Sequence, residues 1–252
     1  MKKKSDTKNE IIDMYANYKV TIDGSSICNK ELRELVYKIE NHTPREIPDA
    51  FLCLNNFIYA IEHFQISQYR LVKKNQDISR ISQGSKDRRE KVKEDRDFDF
   101  KPSIDNLINA LSRNLCVHSK SFNLYKRNIL ALPESAEKVY RLVIFVEDST
   151  ESGYIVKKGE TKPINPLLLK QVSDVLLKYK DDIWGVIYAY GNECEKSMVA
   201  YTLEDLDLKR EQGELLNASD YAPFEVERKV HISKKDKKED SNMVTIRLCD
   251  HL

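Results

Sequence analysis

Glycine is scarce in this chain of 252 residues: there are seven, none of them clustered. That excludes a Walker A loop, a G-x-G-x-x-G nucleotide fingerprint and a G-x-S-x-G nucleophile elbow. Cysteine is sparse too. Cys28, Cys53, Cys116, Cys194 and Cys249 are scattered and odd in number, with no C-x-x-C. This spacing speaks against a zinc cluster and suits idle thiols in a reducing cytosol. His42, His63, His118, His231 and His251 form no H-E-x-x-H and put no two imidazoles on one helix face, so no metal is expected. No apolar run could span a membrane, and the basic start MKKKSDTKNE lacks the apolar stretch of a signal peptide. Neither charge sign dominates: 33% of residues are charged, yet the formal net charge is +1. Global charge therefore points neither to nucleic acid nor to a membrane. A cytoplasmic protein without cofactor or membrane partner is expected.

What is present is period. Asn29 reads as an N-cap for KELRELVYKIE, with Leu32, Leu35, Val36 and Ile39 on one face. After Pro44 and Pro48 the spacing of Leu54, Phe57, Ile58, Ile61, Tyr69 and Val72 predicts a second long helix over 49–74. The stretch 75–101 is dense in both charge signs and reads as a solvated insert.

From Ser103 to Leu132 the pattern is that of one long helix. Ser103 is a cap, Asp105 suits the first turn, and Pro133 is the stop. Ile104, Leu107, Ile108, Leu111, Leu115, His118, Phe122, Tyr125 and Ile129 form its apolar stripe.

Beyond Pro133 the period becomes that of strands. VYRLVIFVE is apolar on both faces, and SGYIVKKG is expected to close a hairpin with it. A helix opens at Pro166 and carries Leu168, Leu169, Val172, Val175 and Leu176 inward. DIWGVIYAYG, KSMVAYTL, FEVERKVHI and MVTIRLC read as further strands. The expected fold is α+β, an N-terminal helical bundle followed by a mainly antiparallel α+β domain. The helical domain would span 1–132 and the second domain 139–252.

Glu147-Asp148 at a strand end invites a metal-dependent nuclease reading. That chemistry wants an acid two residues before a lysine on the next strand, and here Ile155 precedes Lys157 and Val156 precedes Lys158. The other constellation is Arg113, Asn114 and His118 in R-N-L-C-V-H. With its polar residue after the arginine, it fits R-x(4–6)-H and resembles the HEPN family of helical-bundle proteins. The resemblance implies a metal-independent endoribonuclease, with dimers that build the site from both subunits and a setting as toxin or defence effector. It implies His118 as the proton-transfer residue, Arg113 on the phosphate and Asn114 hydrogen-bonding nearby. In an unbroken helix Arg113 and His118 stand about 140° apart, so convergence needs a kink near Ser112 or a second subunit.

Arg113, Lys120, Asn123 and Arg127 line the face opposite the stripe, where three cations could track an RNA backbone. The rival reading is a non-catalytic nucleic-acid- or protein-binding assembly protein, its helices forming a homo-oligomer. In either reading the C-terminal domain would bind a protein partner or a signal.

Overall fold

The computed structural model describes residues 29–66, 102–148, 154–191 and 196–223. Ile11, Ile27, Gln68, Thr150 and two-residue strands at 70–71, 80–81 and 98–99 are also described. The expected strand in YKVTIDG, the late strands FEVERKVHI and MVTIRLC, and most of the insert lie outside the described residues.

The framework is a mixed sheet. Its strands are β1 (Thr43–Pro44), β2 (Ala50–Leu54), β3 (Phe57–Ile66), β4 (Val139–Asp148), β7 (Gly185–Gly191) and β8 (Lys196–Thr202), in that spatial order. Strands β1, β2 and β3 are antiparallel neighbours, β3, β4 and β7 run parallel, and β7 and β8 are antiparallel. A smaller sheet joins β5 (Ile155–Lys157) to β6 (Pro163–Ile164) and β9 (Tyr221–Pro223). Helices cover both faces of the main sheet. On one face α1 (Lys30–Lys38) packs Leu32, Leu35 and Val36. On the other lie α2 (Ile104–His118), α3 (Phe122–Leu130), α4 (Lys170–Leu177) and α5 (Leu203–Glu211). Parallel strands that follow one another in spatial order, joined by crossovers of one hand, place their connecting helices on one side. That accounts for the crowding of this face.

The predicted helical bundle is not formed. The reason lies in 49–74, where the helix expected from the spacing of Leu54, Phe57, Ile58 and Ile61 is the β2–β3 hairpin. Short apolar runs satisfy both periods, and the β-branched and aromatic content of FIYAI decides for strand. Leu54 pairs with Phe57 across a two-residue loop, in which Asn55 takes a left-handed φ of 52° that asparagine tolerates well. Strand β3 is buried on both faces because it is interior to the sheet.

The period change near Pro133 marks a change of element within one sheet. Strands β3 and β4, from either side of it, pair from Phe57↔Val139 to Ile66↔Asp148. Nor does β4 form the expected hairpin with β5. Its neighbours are β3 and β7, both parallel, while β5 joins the small sheet.

Other elements follow their local signals. The Asn29 side chain accepts from the Leu32 amide at 3.0 Å, and Ser103 accepts from the Asn106 amide at 3.1 Å. The long helix runs from Ile104 but passes through a tighter 3₁₀ segment, Ser119–Ser121, before α3. Its stripe is buried as the period predicts, including Leu107, Leu111, Leu115, Phe122, Tyr125 and Ile129. Helix α5 follows β8 directly. Thr202 caps it by accepting from the Asp205 amide at 3.0 Å.

On the α1 face Arg141 of β4 ion-pairs with Glu31. Its guanidinium lies 3.5 Å from the ring centre of Phe57 and 4.3 Å from that of Trp184. This cation–π stack ties α1 to the sheet. Among the described residues no helix is long and apolar enough to cross a membrane.

Leu115 is fully buried between α2 and the sheet. Leu115→Ala should therefore cost about 2–5 kcal/mol in chemical denaturation; a loss below about 1 kcal/mol would show that this stripe is not core.

Candidate functional site

The ten residues of β3, FIYAIEHFQI, carry an adjacent acid and base, Glu62 and His63, near its centre. Alternation sends them to opposite faces. Glu62 shares its face with Ile58, Ala60 and Phe64 and meets α2 and α3. His63 faces the other way, edge-on to Phe145, with Nε2 3.5 Å from the Glu147 carboxylate.

On the α2 side Glu62 is the centre of a compact polar cluster. His118 Nδ1 donates to Glu62 Oε1 at 2.6 Å, and the Tyr125 hydroxyl donates to the same oxygen at 2.8 Å. The His118 ring stacks on Phe64, centroids 5.2 Å apart and planes 22° from parallel. Glu62 and Phe64 of β3 and Tyr125 of α3 thus fix one imidazole. His118 ends α2, Tyr125 stands on α3, and Glu62 comes from the sheet. The pairing also fixes the tautomer, with hydrogen on Nδ1 and the lone pair on Nε2. Nε2 has no hydrogen-bond partner among the described residues and is not sealed from solvent. The His118 side chain keeps 20% of its surface exposed, against 8% for Glu62. A carboxylate-oriented imidazole with one nitrogen open is equipped for proton transfer.

Asp49 completes the cluster. Asp49 immediately precedes the pair Ala50↔Ile61, and its Oδ2 accepts the His63 amide at 2.8 Å, beside Glu62 on β3. Burial and the nearby negative charge of Glu62 push its carboxyl up to about 7. The Tyr125 phenol is likewise pushed up, by burial first and then by Glu62.

The residues singled out from sequence are only partly brought together. His118 is in the cluster; its partner is Glu62, not Arg113. Arg113 lies on the exposed side of α2, about 140° round the helix. Asn114 is buried, and its amide donates to the Ala110 carbonyl of its own helix at 2.9 Å. The 3₁₀ segment that interrupts the helix comes after His118, at Ser119–Ser121, and so cannot turn Arg113 toward it as a kink near Ser112 would.

Lys120, Asn123 and Arg127 are exposed together with Lys126. From Asn106 to Pro133 there is no acidic residue at all. The exposed residues Lys120, Lys126 and Arg127 of α2–α3 therefore stand in a segment that contributes no acidic side chain of its own.

A depression of about 400 Å³ lined by Ser103, Asp105, Asn106, Ile108 and Asn109 lies at the start of α2. It is roughly 20 Å along the helix from His118 and no part of this cluster. Asp148, from the pair of acids at the end of β4, is buried. It accepts from Gln68 Nε2 at 2.7 Å, the Tyr188 hydroxyl at 2.9 Å and the Thr150 amide at 3.0 Å. Burial raises its pKa despite these donors. Among the described residues no three His, Cys, Asp or Glu side chains are grouped so that they could hold a metal ion.

Glu62 and Asp49 are hidden from sequence reasoning because 49–74 reads as a helix, and Tyr125 because it reads as one more apolar residue of the 103–132 stripe. One signal was available: a lone acid inside an apolar run must be buried with a partner.

Asp49 gives a pH prediction with a definite sign. Its folded-state pKa is raised above that of an unfolded carboxyl, so the folded state binds the proton more tightly. Its contribution to stability is therefore present at low pH and lost as pH rises toward about 7. Asp49→Asn should equal the wild type below about pH 4 and exceed it at pH 8 by on the order of 1–3 kcal/mol. Denaturant midpoints across pH test this; a variant that is less stable at pH 8 refutes it.

Compared with protein-family models, with curated proteins and with solved structures, the chain matches none.

Proposed function

We propose that the chain is a metal-independent endoribonuclease in which His118, oriented by Glu62, moves the proton. The observation that carries this reading is the 2.6 Å pairing of His118 Nδ1 with Glu62, which leaves Nε2 open. RNA supplies its own nucleophile. Nε2 accepts the proton of a 2′-hydroxyl as that oxygen bonds to phosphorus. The bond from phosphorus to the 5′-oxygen breaks, and the imidazolium returns the proton to the leaving oxygen. The product ends in a 2′,3′-cyclic phosphate. Glu62 stabilises the imidazolium between the two transfers. Arg113, Lys120, Lys126 and Arg127 hold the strand by its phosphates.

A second reading has its own support. Glu62, Tyr125 and Phe64 together also pin the junction of α2 and α3 to the sheet, as a purely structural cluster would. On that reading the protein binds nucleic acid or protein without cutting.

Cleavage of single-stranded RNA in the presence of a chelator separates the two. His118→Ala should lower the rate on the order of 10²–10⁴-fold, and Glu62→Gln should lower it less while keeping the fold. Wild type that cuts nothing, or a His118→Ala variant that cuts normally, removes the catalytic reading.

The surface has its own measurement. Replacing Lys120 and Arg127 together by Ala should reduce the slope of log affinity against log salt by about two or slightly less. RNA affinity with an unchanged slope would place the strand elsewhere.

A further inference from the structure

We propose that Asp49 is a positioning residue for the His118–Glu62 pair: neutral, it leaves the charge of Glu62 undivided for the Nδ1–H of His118, and ionised, it sets a second charge against Glu62 and loosens the pair. This rests on the reading of His118 as the proton-transfer group.

The geometry is set at the end of the strand ladder. Asp49 stands just outside the ladder, next to the last pair Ala50↔Ile61, and its Oδ2 on the His63 amide puts its carboxyl beside the strand where Glu62 leaves it. Asp49 cannot swing clear at no cost, because its Oδ2 is held by the His63 amide at 2.8 Å and its carbonyl by the Arg45 amide at 2.7 Å. Two neighbouring carboxylates in a largely buried place cannot both ionise cheaply.

The surrounding groups leave the proton on Asp49. Glu62 already has two donors, His118 Nδ1 and the Tyr125 hydroxyl. Asp49 has one backbone donor on its carboxylate. From β3 it is faced by Glu62 and His63, from α2 by His118, and from α3 by Tyr125. Strand β4 contributes Tyr140 near Glu62 and Glu147 beside His63. The Arg45 guanidinium, the nearest cation on the same turn, lies over the Phe51 ring at 5.9 Å. The like charge of Glu62 is therefore the chief electrostatic opponent of an ionised Asp49, and His63 and His118 moderate it.

Proton NMR of the full chain reads the pair without any catalysis. An imidazole Nδ1–H held by a carboxylate gives a far-downfield resonance, assigned here by its loss in His118→Ala. In the wild type it should be sharp below about pH 7 and fade above it. In Asp49→Asn it should persist to about pH 9, because the opposing charge can no longer form. The same pH dependence in both proteins overturns the proposal.

If Asp49→Asn does not fold, the Asp49 carboxyl carbon is followed in wild type and in Glu62→Gln. Removing the charge of Glu62 should let Asp49 ionise at least about half a pH unit lower, and an unchanged midpoint overturns the proposal. Absence of RNA cleavage with the expected NMR behaviour would refute the enzyme reading alone.

Discussion

The parallel pairing of β3 with β4 along their whole length, from Phe57↔Val139 to Ile66↔Asp148, is the constraint around which the molecule is arranged. Parallel neighbours need a long connection, and the connection here is α2 and α3. Once β3 is interior, each of its side chains has a helix layer above or below it, and any polar one must find a partner there. Most of its residues satisfy this by being apolar. Glu62 satisfies it with His118 and Tyr125, which the crossover helices bring back over the strand. The cluster is thus a consequence of topology: the segment that closes the parallel pair also supplies the partners of its buried acid.

That origin explains why one cluster supports two readings. A buried carboxylate whose partners were removed would cost several kcal/mol, so the contacts of His118 and Tyr125 have a structural value whatever the protein does. A structural role does not require an imidazole, however. A serine, an asparagine or a second tyrosine could satisfy Oε1 without exposing a basic nitrogen. The open Nε2 goes beyond what pinning the helices demands.

Local signals were legible where one residue or one helix face decides. Asn29 and Ser103 mark helix starts that form where expected, whereas Pro166 opens only a 3₁₀ turn, Pro166–Leu168, and the α-helix begins at Lys170. The stripe of α2–α3 is buried residue for residue over most of its length. What failed was long-range. The spacing in FLCLNNFIYAI is compatible with a helix face and with a hairpin, and only β4, the strand paired with it far along the chain, settles the choice. The loss of that hairpin then hid the site, because Glu62 and Asp49 are neighbours only across strands. His118 was found from a spacing motif, yet its partner lies 56 residues away and on the sheet.

Arg113 shows the same point from the other side. Its separation of five residues from His118 suggests proximity, but helix geometry turns five residues through about 500° and leaves the two groups pointing apart. Cations serve a polyanion differently from the way a base serves a proton. A base must sit within about 3 Å of its target, whereas a cation on the same surface lowers the cost of a phosphate over most of a Debye length. Arg113 need not touch His118 to act with it: Arg113, Lys120 and Arg127 lie on the face opposite the stripe that carries His118, so a strand held by them reaches Nε2 only by crossing the edge where α2 meets α3. Contact between motif residues is therefore the wrong test of the site in one chain; the path of the strand past Nε2 is the right one.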